Sequence, residues 1–94
     1  MKAIKIFKFA GEFAENKDAA RKIRIDLITP TLKKGDEIVL DFGKVGSTTQ
    51  SFIHALLSEL MREYGPDVLE KMVFKNCNEN VKGIINIVVD YMQI

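Results

Sequence analysis

Short apolar runs typical of strands alternate along the chain with longer stretches whose apolar residues recur at helical spacing. Segment 3–9 is rich in isoleucine and phenylalanine and predicts a first strand, in which Lys5 and Lys8 indicate a position near a sheet edge. A helix is predicted next, with Asn16 as its N-cap, and we expect Pro30 to end or kink it. Its core face comprises Ala20, Ile23 and Leu27. Its basic face, which comprises Lys17, Arg21 and Arg24, is expected to be a solvated surface, because acidic residues elsewhere cancel its long-range field.

Two further strand–helix units are predicted. Strand 38–42 is almost entirely apolar, as expected where helices cover both faces of a sheet, and a helix follows over 49–64. After a further possible turn over 66–71, strand 72–74 leads to Asn78, the predicted cap of a final helix whose apolar spacing favours helix over strand. The order β-α-β-α-β-α predicts an α/β domain with a short, mostly parallel sheet packed with helices.

Composition indicates a single globular domain over residues 1–94, with 47% hydrophobic and 29% charged residues. The net charge of +1 provides no basic surplus for binding nucleic acid or an anionic membrane. Cys77 is the one cysteine, which excludes an internal disulfide and favours a reducing, cytoplasmic setting. We expect no signal peptide and no membrane span, because no apolar run approaches the roughly 20 residues that a bilayer requires.

The loop 43–48 joins a strand to a helix, the place where α/β folds bind phosphates on helix N-terminal amides. Its spacing does not match a P-loop, because Lys44 directly follows the first glycine. A glycine-permitted turn followed by a capping box between Ser47 and Gln50 explains the same residues. The alternative is a small-ligand, nucleotide or phosphate sensor that uses Lys44 and the segment 43–51.

Other candidate groups have plain interpretations. Asp41 is expected to accept hydrogen bonds from loop amides and fix the turn, because a metal site needs several converging oxygens. A hydrolase built on Ser51 and His54 ranks last, because it lacks an orienting carboxylate and an oxyanion hole. Cys77 is expected to be a structural thiol, and no cysteine or histidine spacing indicates a metal. The last helix has a second apolar stripe, which either packs between the sheet and a helix or forms a homodimer: Gly83, Ile87, Tyr91 and Ile94.

The chain resembles a known family along most of its length. Strand 38–42, the hydroxyl-rich loop and the helix start at 51–57 are similar to the central unit of STAS domains, which occur in anti-sigma-factor antagonists and in the cytoplasmic tails of sulphate transporters. The closer resemblance is to a bacterial STAS-like family of unknown function. The motifs that carry it are Gly11 to Ala14, Asp41-Phe42, Ser51-Phe52 and Phe74-Lys75-Asn76.

This resemblance implies a non-enzymatic, regulatory protein-interaction module without a cofactor. Its partner would be a GHKL-type ATPase or kinase, or another sigma-factor regulator. In the antagonists the helix begins Asp-Ser-Ser-Gly and the partner phosphorylates the first serine, which corresponds here to Gln50, a residue that cannot be phosphorylated. The candidate phosphorylation sites are therefore the nearby hydroxyl residues Ser47, Thr48, Thr49 and Ser51. The candidate partner or anion contacts are Asp41, Lys44, Gln50, Ser51 and His54.

Overall fold

The structure is a computed structural model that describes residues 1–92, and it confirms the predicted α/β class. Its elements in chain order are β1 (Lys2–Lys5), α1 (Ile6–Ala10), β2 (Phe13–Ala14), α2 (Lys17–Ile23), a π-helical segment (Arg24–Ile28), α3 (Thr29–Lys33), β3 (Ile38–Asp41), β4 (Ser47–Thr48), α4 (Gln50–Tyr64), a 3₁₀ helix (Pro66–Lys71), β5 (Met72–Lys75) and α5 (Glu79–Met92).

A three-stranded parallel sheet in the order β1-β3-β5 organises the fold, which confirms the edge position of the first strand. On one face, Ile4 and Leu40 are neighbours in register and join the core beneath the helices. On the other face, Val39 lies in register between Ala3 and Val73, and Val73 is 49% exposed. The expectation of helices on both faces is therefore wrong. Val39 is itself buried because side chains of the flanking strands screen a central-strand residue.

The first strand is shorter than predicted, because the chain turns into α1 at Ile6. This helix ends at Gly11, which has a φ of 75° and donates its N–H to the carbonyl oxygen of Phe7 at 2.9 Å. Only Ile6 is buried in α1, while Phe7 is 39% and Phe9 47% exposed. The prediction of one strand over 3–9 is wrong because strand-forming residue types do not prevent a short helix that tertiary contacts favour.

Helical backbone continues past Pro30 as far as Lys33. The predicted break takes the form of the π-helical segment directly before Pro30, where the wider hydrogen-bonding pattern accommodates a residue without an N–H. Gly35, with a φ of 81°, then turns the chain towards β3. The helix therefore does not end at Pro30, but it is irregular there.

One core draws together the sheet and helices α2, α4 and α5, and its largest fully buried side chains include Phe42 and Phe52. The predicted cap Asn16 is confirmed, because its Oδ1 accepts from the N–H of Asp18 at 2.8 Å. The final helix is also confirmed, and it begins after Asn78. In α4 the buried residues are those of the predicted apolar stripe, namely Phe52, Ile53, Leu56, Leu57, Leu60 and Met61.

Candidate functional site

The loop between β3 and α4 is anchored by the carboxylate of Asp41. Its Oδ1 accepts hydrogen bonds from the Gly43 N–H at 2.8 Å and from Nδ2 of Asn76 at 3.0 Å. A Cβ on Gly43 would lie 3.0 Å from that oxygen, so glycine allows this close approach. The bond from Asn76 and then the bond from Gly43 hold the pKa of Asp41 below its ordinary value of 3.8. The predicted turn-fixing role of Asp41 is thus confirmed.

Lys44, rather than a loop glycine, adopts the left-handed conformation of this turn, with a φ of 70°. The expectation of a glycine-permitted turn is wrong in this respect. Gly43 is required for space beside Asp41, and neither Gly43 nor Gly46 has a positive φ.

Three alternating asparagines at the end of β5 hold the same loop, and we call Asn76, Asn78 and Asn80 the asparagine clasp. Nδ2 of Asn78 donates to the carbonyl oxygen of Gly46 at 2.9 Å, while its Oδ1 accepts from the Val81 N–H at 2.9 Å. Oδ1 of Asn80 accepts from the N–H of Thr48 at 3.2 Å. The clasp therefore fixes the loop and the start of α5 together. From the sequence only the Asn78 cap was predicted, although three asparagines alternate directly after β5.

Thr49 is the residue that caps α4, and its hydroxyl oxygen accepts from the Phe52 N–H at 3.1 Å. The predicted capping box of Ser47 with Gln50 is wrong, because Ser47 lies in β4 and pairs in register with Phe13. This short parallel pairing moves the cap by two residues, from the predicted Ser47 to Thr49.

Most amides of the loop are already paired within the protein. The N–H groups of Gly46 and Ser47 both donate to the carbonyl oxygen of Glu12, and that of Thr49 donates to Ala14. The N–H of Thr48 is held by the clasp as described above. An anion bound in the manner of a phosphate loop would need such amides to be free, so the part of the loop from Gly46 to Thr49 does not offer its amides to an anion.

An open groove of about 570 Å³ runs over the exposed side of α4, and we call it the helical groove. Its floor is formed by α4, with one wall from the α2 side and the other from α5. The floor comprises Gln50, Ser51, His54, Ala55, Ser58, Glu59 and Arg62, the first wall Lys17, Arg21 and Arg24, and the second wall Ile87, Val88 and Tyr91.

The helical groove gathers some of the predicted contact residues and not others. Gln50, Ser51 and His54 are all exposed on its floor. Asp41 and Lys44 line a separate hollow at the carboxyl ends of the strands. The five predicted contacts therefore belong to two surfaces, and the helical groove holds the larger share.

The two walls contain the basic stripe and the second apolar stripe that the sequence predicts. The basic stripe was interpreted as a solvated face, but Nη1 of Arg24 crosses to the carbonyl oxygen of Ala55 at 2.9 Å. The second apolar stripe of α5 is not wedged against the sheet, because Ile87 is 50% and Tyr91 73% exposed. Ile94, the last member of that stripe, lies outside the described residues.

The four candidate phosphorylation sites differ in accessibility. Thr48 is buried, and its hydroxyl donates to the carbonyl oxygen of Ala14 at 2.7 Å. The hydroxyl of Thr49 caps α4, and Ser47 is half-buried in β4. Ser51, in the first turn of α4, is the exposed member of the set.

The described residues contain no group of three or more histidine, cysteine or acidic side chains that could hold a metal ion. Burial raises the pKa of the Cys77 thiol, which keeps it in the less reactive protonated form. Among residues 1–92, no hydrogen bond joins Ser51 to His54. No helix in this part of the chain has both the length and the apolar character needed to cross a membrane.

The fold and the groove together define a small parallel α/β domain with an exposed interhelical surface. A family model described as "STAS-like domain of unknown function (DUF4325)" matches residues 19–82, which include β3, α4 and β5. The chain belongs to this family. Neither the curated proteins nor the solved structures contain a significant match.

Replacing Asp41 with asparagine tests the electrostatic part of the loop anchor. Because the pKa of Asp41 is lowered in the folded state, its charge contributes stability above its ordinary pKa of 3.8, and this contribution is lost as the pH falls through the lower folded value. We expect Asp41→Asn to destabilise the domain slightly at neutral pH, by less than about 1 kcal/mol because the carboxylate is partly exposed. This difference should shrink in acid.

Urea unfolding at neutral pH and at about pH 3 measures the effect. Asp36→Asn is the matched control, since Asp36 is exposed in the turn before β3. An Asp41→Asn difference that is equal at both pH values would contradict an electrostatic contribution from this carboxylate.

Proposed function

We propose that this chain is a non-catalytic protein-interaction module of a regulatory pathway, and that it binds its partner through the floor of the helical groove. The observation that carries the proposal is the grouping of Gln50, Ser51 and His54, all exposed, at the first turns of α4. These side chains are displayed on a rigid support, because the apolar side of α4 is buried in the core. Rigid presentation lowers the entropic cost of binding.

A sequence resemblance supports the location of this surface. The first turn of α4 is similar to the segment that is phosphorylated in anti-sigma-factor antagonists, and α4 lies wholly within the region that the family model matches. On that resemblance, we propose a partner of the GHKL ATPase or sigma-factor-regulator class, in a bacterial cytoplasm. Modification of Ser51 would place a phosphate at a helix N-terminus, which tolerates negative charge, and would change the charge of the groove floor.

Substitutions at Ser51 test the proposal. We expect Ser51→Asp and Ser51→Ala to weaken partner binding without loss of stability, because Ser51 is exposed. Affinity purification from the source cells with quantitative mass spectrometry identifies the partners of the unmodified protein, and purified components then provide dissociation constants. Asn86→Asp is the charge-matched control, since Asn86 is exposed on α5 and lines a different hollow.

A reduction of about tenfold or more in Ser51→Asp, with Asn86→Asp unchanged, is the expected outcome. Equal affinities of the unmodified protein and both Ser51 variants for the partner would contradict the proposal that the partner binds at the floor of the groove. Where a partner identified in this way is a kinase, its incubation with this protein and ATP, followed by peptide mapping, separately tests whether Ser51 accepts a phosphate.

A further inference from the structure

We propose that the occupant of the helical groove is an acidic, amphipathic helix of the partner protein. This inference rests on the proposed function and specifies the chemistry of the partner. It follows from the difference between the two walls, of which the α2 wall is basic and the α5 wall carries exposed apolar side chains. A segment with acidic residues on one side and apolar residues on the other complements both walls at once.

The charge of the groove is concentrated relative to that of the whole chain. Four lining residues carry a positive charge, Lys17, Arg21, Arg24 and Arg62, but Arg62 is paired at 2.7 Å with Glu59, the acidic residue among the described lining residues, so the surplus comes from the three cations of the α2 wall. The net charge of the complete chain is only +1. The groove is thus a local positive region in a nearly neutral protein, which attracts an acidic segment over a Debye length of about 8–10 Å.

The cations of the α2 wall are available to a partner. Arg24 is held in place by its 2.9 Å bond to the carbonyl oxygen of Ala55, which leaves its guanidinium with further donors. Arg21 contacts Asp18 at 3.4 Å, but both side chains are more than half exposed. Such an exposed pair contributes little, so a partner carboxylate can replace it at small cost.

The dimensions of the groove favour a helical occupant. Its floor extends from Gln50 to Arg62 along α4, a length of about 18 Å at 1.5 Å per residue. The cations at positions 17, 21 and 24 and the apolar residues at 87 and 91 recur at intervals of about one helical turn. A partner helix of about three turns presents side chains at the same interval along both of its sides.

Peptide binding measured by fluorescence anisotropy tests the charge of the groove. The probe is a synthetic peptide of about 14 residues with glutamates on one helical face and leucines on the opposite face. A permuted peptide of equal composition without separate faces, and a peptide with lysine in place of each glutamate, are the peptide controls. We expect the amphipathic acidic peptide to bind most tightly, and its affinity to fall as salt is added.

Charge reversal on the protein locates the binding surface. We expect the double variant Lys17→Glu and Arg21→Glu to bind the acidic peptide with an affinity lower by about tenfold or more. The matched control is Lys34→Glu with Lys71→Glu, which changes the same charge at exposed positions outside the groove. Thermal melting confirms that both double variants are folded.

A matched pair of isoleucines tests the apolar wall. Ile87 in the groove is 50% exposed, and Ile25 outside the groove is 54% exposed. We expect Ile87→Ser to lower the affinity for the acidic peptide several-fold and Ile25→Ser to leave this affinity unchanged.

Four results of the peptide experiments overturn the inference. These are no binding of the acidic peptide at about millimolar concentration, equal binding of the permuted peptide, equal loss in the control variants, and tighter binding of a single-stranded DNA of the same charge. A groove covered instead by a second copy of the chain would give a dimer in sedimentation that Ile87→Ser dissociates. The Ser51 experiment tests the proposed function independently. If the Ser51 variants lower the affinity for the partner and the Lys17→Glu and Arg21→Glu variant does not, the proposed function is supported and only the acidic helix as occupant of the groove is contradicted.

Discussion

Phe52→Ala is expected to lower the free energy of unfolding by about 3–5 kcal/mol, the usual cost of removing a fully buried aromatic side chain. Phe52 is 0% exposed and lies in the first turn of α4, where its main-chain N–H also completes the Thr49 cap. Small domains are stable by only about 5–15 kcal/mol, so this loss is a large fraction of the total. Urea unfolding followed by circular dichroism measures it.

Phe13→Ala is the matched control, because Phe13 is 66% exposed in β2. Its expected effect lies within about 0.5 kcal/mol. Equal losses in the two variants would contradict the described packing of α4 on the core. A large loss in Phe52→Ala alone shows that the helix supporting the groove floor is fixed by its buried side, which is required if the exposed side is to act as a rigid binding surface.

The helices α4 and α5 could be predicted from the sequence because their information is local. Apolar residues at intervals of three and four define a buried stripe, and Asn78 marks the start of α5 within a few residues of it. The strands β3 and β5 were predictable for the same reason, since short apolar runs stand between turn residues, whereas only the first part of the predicted first strand forms β1. The alternation of these patterns predicted the order of the main strands and helices, while α1, β2 and β4 are additional elements that it did not predict.

The segment from Ile6 to Ala14 was not predictable in this way. Its helix and its short strand depend on contacts with residues more than 30 positions away, such as the pairing of Ala14 with Thr48. The same contact explains the error in the cap of α4, because the β2–β4 pairing keeps Ser47 extended and transfers the capping role to Thr49. Local preference at Ser47 was overruled by tertiary structure.

The candidate site was predicted in part, for a related reason. Ser51 and His54 were placed on one helix face correctly, because that relation is local. The proximity of this face to the cations of the α2 wall could not be predicted, because it depends on the tertiary structure, in which Arg24 contacts Ala55, 31 residues away in sequence. A stripe that looks like a solvated surface in sequence thus becomes one wall of a groove.

Asn78→Ala is the second variant with a large expected effect, a loss of about 2 kcal/mol in the free energy of unfolding. Two contributions add in this estimate. Removal of the cap of α5 costs about 1 kcal/mol, and removal of the donor to Gly46 leaves a loop carbonyl without its protein partner at a similar cost. The loss is measured by urea unfolding, with Asn86→Ala as a control in the middle of the same helix.

Asn78→Asp separates the two contributions. An aspartate keeps the oxygen that accepts from Val81 and adds a charge that is favourable at a helix N-terminus, but it cannot donate to Gly46. We therefore expect a loss of about 1 kcal/mol or less, and a stability equal to that of Asn78→Ala would show that the loop bond carries nearly all of the effect. A neutral Asn78→Ala would contradict the asparagine clasp itself. An intermediate loss for Asn78→Asp would show that the cap of α5 and the bond to the loop both contribute, and the loop that leads into α4 would then be held by a bond that only the asparagine can make.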